Sequence, residues 1–219
     1  IDNNSCDRTL SEIQKSGELP FPLTLIKNST NVGIAAANNA GIKKCIEFCA
    51  EHIIIANNDI LFSENYLKEF SSLIIKHKSK LATTVCLNGN SNIIWNMGGS
   101  FNRYTAKANY IDENKDYCRT NYSDLLCCNS GTTCFLYVNI DVFKNVGLMD
   151  EDYFVYYDDT DFLIRCENKG YLVDIFPRLS LKHFHGASSG GGLSKFSIYE
   201  LTKNRIILIR KNFSILQKL

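Results

Sequence analysis

Surplus charge is the first thing this sequence lacks: 24 lysines and arginines face 23 aspartates and glutamates, a net charge of +1 over 219 residues. A chain that holds nucleic acid by bulk charge needs a basic excess, so that mode of binding has no support. Long apolar runs are missing too. None approaches the roughly 20 residues that a membrane-spanning helix requires. No signal-peptide pattern opens the chain, and Ile1-Asp2-Asn3-Asn4 has no initiator methionine, so a trimmed chain is expected. The nine cysteines form no CxxC pair. Cys45, Cys49, Cys86, Cys134 and Cys166 read as small buried hydrophobes in a reducing compartment, which places the protein in the cytoplasm. Cys45 and Cys49 lie one helical turn apart, but no His or Cys nearby completes a metal site. There is no internal repeat, no linker, and no basic phosphate-gripping loop near the start.

What is present suits one globular domain over residues 1–219, with 195–219 as a C-terminal helical extension. Hydrophobic residues make up 45% of the chain and aromatics 11%, enough for a real core. Residues 2–5 are cap-type and end a strand whose body is absent; a short helix follows over 9–15, closed by Gly17. Residues 23–26 read as a compact apolar strand. Asn31 and Gly33 open a helix with Ile34, Ala37, Gly41, Cys45 and Phe48 on one face. The apolar run 52–56 suits a strand buried on both faces of a parallel sheet. A helix over 63–75 and a strand at 81–87 come next. This alternation predicts an α/β fold with a mixed, mainly parallel sheet flanked by helices, and ligands at the carboxyl ends of its strands. The second half reads as short antiparallel pieces at 93–96 and 104–110, a loop over 112–123, a strand at 134–138 and a brief helix at 141–145 ended by Gly147. A helix from Asp158 to Asn168 stops at Gly170. A bent extended segment around Pro177, a Gly/Ser loop at 186–192 and a helix over 195–212 close the chain.

Two acidic clusters carry the chemistry. Asn57-Asn58-Asp59 follows the apolar strand and puts Asp59 at the sheet's carboxyl edge, where a hard cation bridging a diphosphate takes an oxygen ligand. A turn using Asn and Asp for local hydrogen bonds gives the same pattern. The second cluster, Phe154-Val-Tyr-Tyr-Asp158-Asp159-Thr-Asp161-Phe-Leu-Ile-Arg165, delivers three carboxylates to the mouth of a helix. Acids beside apolar residues need a cation, a helix N-terminus or a chemical role. Asp158 is expected as the N-cap and Asp161 at the third helical position, paired with Arg165. Asp159 has no such assignment. Among Phe154, Tyr156 and Tyr157 its pKa is expected to rise, which suits a general base. His183 reads either as a packing residue or as a neutral ligand beside a carboxylate. The glycines after it suit a lid over a donor, or a plain loop. Asn31-Val-Gly33-Ile-Ala-Ala-Ala-Asn38-Asn39 opens its helix with small residues, permitting close approach of a nucleotide or of another helix.

Taken in order, these residues, together with Ile1-Asp2-Asn-Asn-Ser5-Cys-Asp7, Val146-Gly-Leu-Met-Asp150-Glu151, Gly170-Tyr171, Pro177 and Asn204-Arg205, closely resemble the family 2 glycosyltransferases of the GT-A fold, a Rossmann-like architecture. The rhamnosyltransferase-like and galactofuranosyltransferase-like members are the nearest in pattern, and the match runs over nearly the whole chain. The resemblance implies that Asp2 contacts the nucleotide base and that Asn31, Gly33, Asn38 and Asn58 belong to the donor site. It implies that Asp59, the last acid of a DxD-type motif, binds Mn2+ or Mg2+ and through it the diphosphate, with His183 completing the metal site. Asp159 becomes the general base, and Arg205 lies near the diphosphate. Asn57 stands where that motif has its first acid, so the cation rests on Asp59 and His183. The family's first strand and helix are expected to be missing before Ile1.

The expected activity is therefore inverting transfer of a sugar from a nucleotide-diphosphate donor to a hydroxyl of a glycan or lipid-linked acceptor, in surface polysaccharide synthesis. Two other readings compete: a catalytically inactive module that binds sugar nucleotides or glycans, and a metal-dependent nucleotidyltransferase. The last helix, with Lys203, Arg205, Arg210 and Lys211, presents a basic face that is either simply solvated or rests on the inner surface of the membrane.

Overall fold

A computed structural model describes residues 1–15, 20–184, 194–214 and 217; Gly17 and the Gly/Ser loop at 186–192 lie outside the described residues. Helix α1 (Thr9–Lys15) begins where the Asp7 carboxylate accepts the Thr9 N–H at 2.9 Å. Residues 23–26 do not form the expected strand. They run beside a single parallel bridge, Asp2 with Lys27. In it the Asp2 N–H donates to the Ile26 carbonyl (2.8 Å) and the Asn28 N–H to the Asp2 carbonyl (2.9 Å). A strand needs a partner along its length, and here the partner is one residue long.

Helix α2 (Ile34–Glu47) buries Ala35, Asn39 and Ile42. The face expected from apolar spacing is not the one that packs, since Phe48 is 61% exposed. Asn39 sets the rotation. Its amide donates to the Met149 carbonyl and the Glu151 carboxylate, both at 2.8 Å, and its oxygen accepts the Met149 N–H at 3.0 Å. Once buried, such a group costs more to leave unbonded than a weak apolar gradient returns.

The remaining elements follow in order: strands β1 (His52–Ala56) and β2 (Ile60–Leu61), helix α3 (Tyr66–His77), strands β3 (Leu81–Asn88) and β4 (Ile94–Asn96), and the hairpin β5 (Gly99–Asn102) and β6 (Lys107–Tyr110). Then come β7 (Leu126–Cys128), β8 (Phe135–Asn139), α4 (Ile140–Val146), α5 (Asp158–Asn168), β9 (Val173–His183) and α6 (Lys195–Asn212). The main sheet runs β1-β8-β3-β9-β2, with β4 added to β3 and β7 to β9. It is mixed, as expected, but parallel pairing between these named strands is confined to β3 and β9. The reason is β8, which lies antiparallel between β1 and β3 and keeps two strands of like direction apart. β1 therefore ends the strand order and is not buried on both faces: Ile53 and Ile55 are inside while Ile54 is 44% exposed.

β3 is the axis of the sheet, buried from Leu81 through Leu87. Its register with β9 shifts between Thr84, opposite Phe176, and Val85, opposite Ser180. Pro177 sits inside the bulge, where its missing N–H costs the ladder nothing. Beyond it β9 continues to His183, which pairs with Ile60 of β2. Tyr66 and Phe70 of α3 pack one face of the sheet against Phe135, Tyr137 and Phe176. Phe162 and Leu163 of α5 join the core of the other with Leu81, Val85 and Leu136. Helix α6 turns Ser197, Glu200, Asn204 and Leu208 inward and leaves Phe196, Ile198, Tyr199 and Ile206 exposed, so most of its buried residues are polar.

Candidate active site

At the carboxyl end of β1 the chain turns through Asn57 and Asn58 to Asp59, and β2 then pairs with the end of β9. Backbone bonds lock the join: the Phe184 N–H donates to the Asp59 carbonyl at 2.8 Å, and the Gly89 N–H to the His183 carbonyl at 2.9 Å. Asp59 Oδ1 consequently stands 3.1 Å from His183 Nε2, with Asn57 Nδ2 3.4 Å from the same nitrogen. Trp95 of β4 lies against the imidazole, ring centres 4.6 Å apart. Nothing in the spacing of the sequence pointed to Trp95; its only signal was being the sole tryptophan.

Asp59 Oδ1 is shut off from solvent and, apart from His183 Nε2 at 3.1 Å, has no polar partner among the described residues, so a cation shared by the two would satisfy it. Metal–oxygen and metal–nitrogen bonds of about 2.1 Å place neighbouring ligands of an octahedral ion about 3 Å apart, which the Asp59–His183 separation matches. The residues present therefore fit Mn2+ or Mg2+. No group of three or more His, Cys, Asp or Glu gathers there among the described residues. An ion would take its other ligands from water and from donor phosphate oxygens, the usual arrangement for Mg2+.

The second cluster meets the first at the lead into β8. The Asn57 N–H donates to the Cys134 carbonyl at 2.8 Å, and the backbone of the neighbouring Thr133 lies close enough to Asp159 to favour its charged form. Asp159 Oδ1 accepts the Thr160 N–H at 2.7 Å. Burial raises the pKa of Asp159 despite these neighbours, and burial followed by the charge of Asp159 pushes Asp158 up to about 8. Asp158 is not the N-cap. That position belongs to Tyr157, in the left-handed region at φ 66°, and Asp158 is the first helical residue with its side chain inside. Asp161 is thus one place further into the helix than expected. It pairs with Arg165 at 2.7 Å and also accepts Asn212 Nδ2 at 2.7 Å.

The expected donor residues divide into two groups. Asn3 ties three of the relevant pieces together, donating to Asn31 Oδ1 (2.8 Å) and the Gly33 carbonyl (3.2 Å) and accepting from Asn28 (3.0 Å). Asp2, buried beside it, accepts the Ser5 N–H at 3.4 Å. Gly33 touches the Phe154 segment: the Ile34 N–H donates to the Phe154 carbonyl at 2.7 Å. Asn38, Asn58 and Arg205 stand apart from this network. Asn38 reaches Met149 Sδ at 3.5 Å, Asn58 is exposed, and Arg205 donates to the Thr105 carbonyl at 2.6 Å in the β5–β6 turn.

Gly33 has φ +85°, and a Cβ there would lie 2.5 Å from the Phe154 carbonyl oxygen. Gly33→Ala is therefore expected to destabilise the fold by about 2–3 kcal/mol, from left-handed strain plus displacement of backbone. Urea unfolding measures this; a loss below about 0.5 kcal/mol would show that the contact gives way freely.

Residues 1–137, more than half of the chain, match the family described as "Glycosyl transferase family 2". The chain belongs to this family. The family 2 chain is 29% identical over 195 residues to "dTDP-rhamnosyl transferase RfbF" of Shigella flexneri, covering 86% of this chain and 63% of that protein. It thus spans less than two thirds of this curated relative. Among solved structures it resembles GalNAc-T7 with UDP, GalNAc and Mn2+ (TM-score 0.68, 14% identity, 96% of this chain and 40% of that one). It also resembles S. aureus TarS (TM-score 0.59, 15% identity, 97% and 34%). At these identities the likeness is one of fold: the family 2 chain has the mixed α/β sheet of the GT-A glycosyltransferases.

Proposed function

We propose that this family 2 chain transfers a sugar from a nucleotide diphosphate to an acceptor hydroxyl with inversion, that dTDP-rhamnose is the donor, and that Asp159 is the base. The observation that supports the reading is the meeting, across the lead into β8, of the Asp59–His183 pair with a half-buried carboxylate of raised pKa. The relative's name supports the choice of donor.

In this reading Asp159 takes the proton of the acceptor hydroxyl, and the freed oxygen pair attacks the anomeric carbon from the side opposite the nucleotide. One bond forms and one breaks at a single centre, so configuration inverts. Asp59 and His183 would hold Mn2+ or Mg2+, whose chemistry there is to offset negative charge on the leaving diphosphate. The Thr160 N–H, 2.7 Å from Asp159 Oδ1, fixes the carboxylate, and burial raises its pKa, which favours a base. The acceptor is a glycan or lipid-linked saccharide of surface polysaccharide synthesis, met in the cytoplasm. The exposed Ile198, Tyr199 and Ile206 of α6, beside Lys195 and Arg210, support a resting contact with the inner membrane surface. No helix among the described residues is long and apolar enough to cross a membrane.

Release of nucleotide diphosphate from a panel of dTDP-, UDP- and GDP-sugars, with Mn2+, with Mg2+ and with chelator, tests this function. dTDP-rhamnose is expected to turn over fastest, and only with metal. Stabilisation of the chain by a sugar nucleotide without turnover would instead establish a binding module.

A further inference from the structure

Tyr156 and Tyr157 are consecutive residues in the left-handed region, each at φ 66°. Side chains with a Cβ occupy that region at a cost, so a consecutive pair has to be held by its surroundings. The four carbonyls of the segment show what holds it. Phe154 accepts from the Ile34 N–H at 2.7 Å, and Tyr157 accepts the Asp161 N–H at 2.8 Å, inside α5. The two between them, Val155 and Tyr156, both accept from one side chain, Asn204 Nδ2 of α6, at 2.7 and 3.1 Å. Asn204 is 0% exposed.

The amide is placed for its donors alone. Its nitrogen faces two carbonyls and, at 3.5 Å, the Glu200 carboxylate, all of them acceptors. Its oxygen is buried with no hydrogen bond. Two turns earlier on the same inward face, Ser197 Oγ meets the Tyr156 hydroxyl at 3.1 Å. Tyr157 is the residue from which α5 starts, so these two α6 side chains fix the point and angle at which Asp158 and Asp159 leave the loop.

We propose that Asn204, assisted by Ser197, is a positioning residue for Asp159: its amide hydrogens hold the left-handed Tyr156–Tyr157 pair and so set where the carboxylate stands. The proposal rests on Asp159 being the base. It makes α6 part of the catalytic apparatus without contact with the substrate, and it predicts an effect on turnover rather than on donor binding.

The test measures dTDP release from dTDP-rhamnose, donor affinity by calorimetry, and amide hydrogen exchange over residues 154–161, for Asn204→Ala, Ser197→Ala and Asp159→Asn side by side. For Asn204→Ala we expect kcat to fall about 10- to 100-fold, donor affinity to stay within twofold, and exchange over 154–161 to accelerate. For Ser197→Ala the fall is smaller, about threefold to tenfold, in the same direction. The acid limb of kcat against pH is expected to move in Asn204→Ala, because the enclosure of Asp159 changes; a residue that merely stabilises the fold leaves it in place. If Asp159→Asn is dead while Asn204→Ala turns over at the parental rate, the positioning role is overturned and the base assignment stands. If Asp159→Asn retains turnover, both are overturned. Should Asn204→Ala not fold, Ser197→Ala decides, and an unchanged kcat there overturns the proposal.

Discussion

Asp159→Asn is expected to reduce sugar transfer roughly a thousandfold, the scale of a lost general base, while the affinity for the nucleotide donor stays within a factor of two. The amide keeps the size of the carboxyl and can accept the Thr160 N–H as Asp159 Oδ1 does at 2.7 Å. It cannot take a proton. The pH profile adds a second signature. A base must be ionised to act, so transfer in the parent rises as pH passes upward through the pKa of Asp159. Burial raises that pKa above the ordinary aspartate range, and the acid limb therefore lies on the alkaline side of that of a free carboxylate. Retained turnover in Asp159→Asn, or an acid limb at the ordinary carboxylate position, would remove Asp159 from the role.

Removing either candidate cation ligand is expected to have the second largest effect. With two candidate protein ligands among the described residues, each would supply a large share of the protein's hold on an ion, and His183→Ala is expected to raise the Mn2+ concentration for half-maximal transfer about tenfold to a hundredfold. Asp59→Asn exchanges a charged oxygen for a neutral one and should act more strongly, leaving little transfer at millimolar metal. The readout is a Mn2+ titration of transfer, with free Mn2+ followed by its paramagnetic resonance signal in parallel. An unchanged titration curve in both variants would place the metal elsewhere or nowhere. Trp95, packed on the His183 ring, supports the imidazole.

Much of the architecture was legible from residue order because the signals were strong and local. The helix over 9–15, the buried β3, the helix stop at Gly147 and the long α5 each rest on period or on a capping residue, and each stands where the sequence put it. What failed was whatever depended on a neighbour distant in sequence. The rotation of α2 follows from Asn39 meeting Met149, 110 residues away, and no periodicity within the helix contains that information. The double-sided burial expected for residues 52–56 assumed a parallel neighbour, whereas the strand that arrives, β8, comes antiparallel from the second half. At the candidate site, the resemblance already set Asp59 with His183 and gave Asp159 a separate role. How the first two come to stand 3.1 Å apart was not legible, since it depends on the bulge at Pro177 and the β2–β9 register. Asn204 stood in the recognised pattern with no role; only its two carbonyl partners gave it one.

The same parallel pairing has a consequence for how the chain matures. β3 is finished by residue 88, yet its partner β9 starts at residue 173 and closes at residue 183. Until then one whole edge of a strand buried from Leu81 through Leu87 stays unsatisfied, the situation that makes long-range parallel pairing slow and prone to association during synthesis. Asp59 and His183, the two candidate cation ligands, come together only when that edge closes. A metal held by them would therefore not nucleate folding but lock a sheet already assembled, so refolding rates are expected to be indifferent to Mn2+ while unfolding slows in its presence.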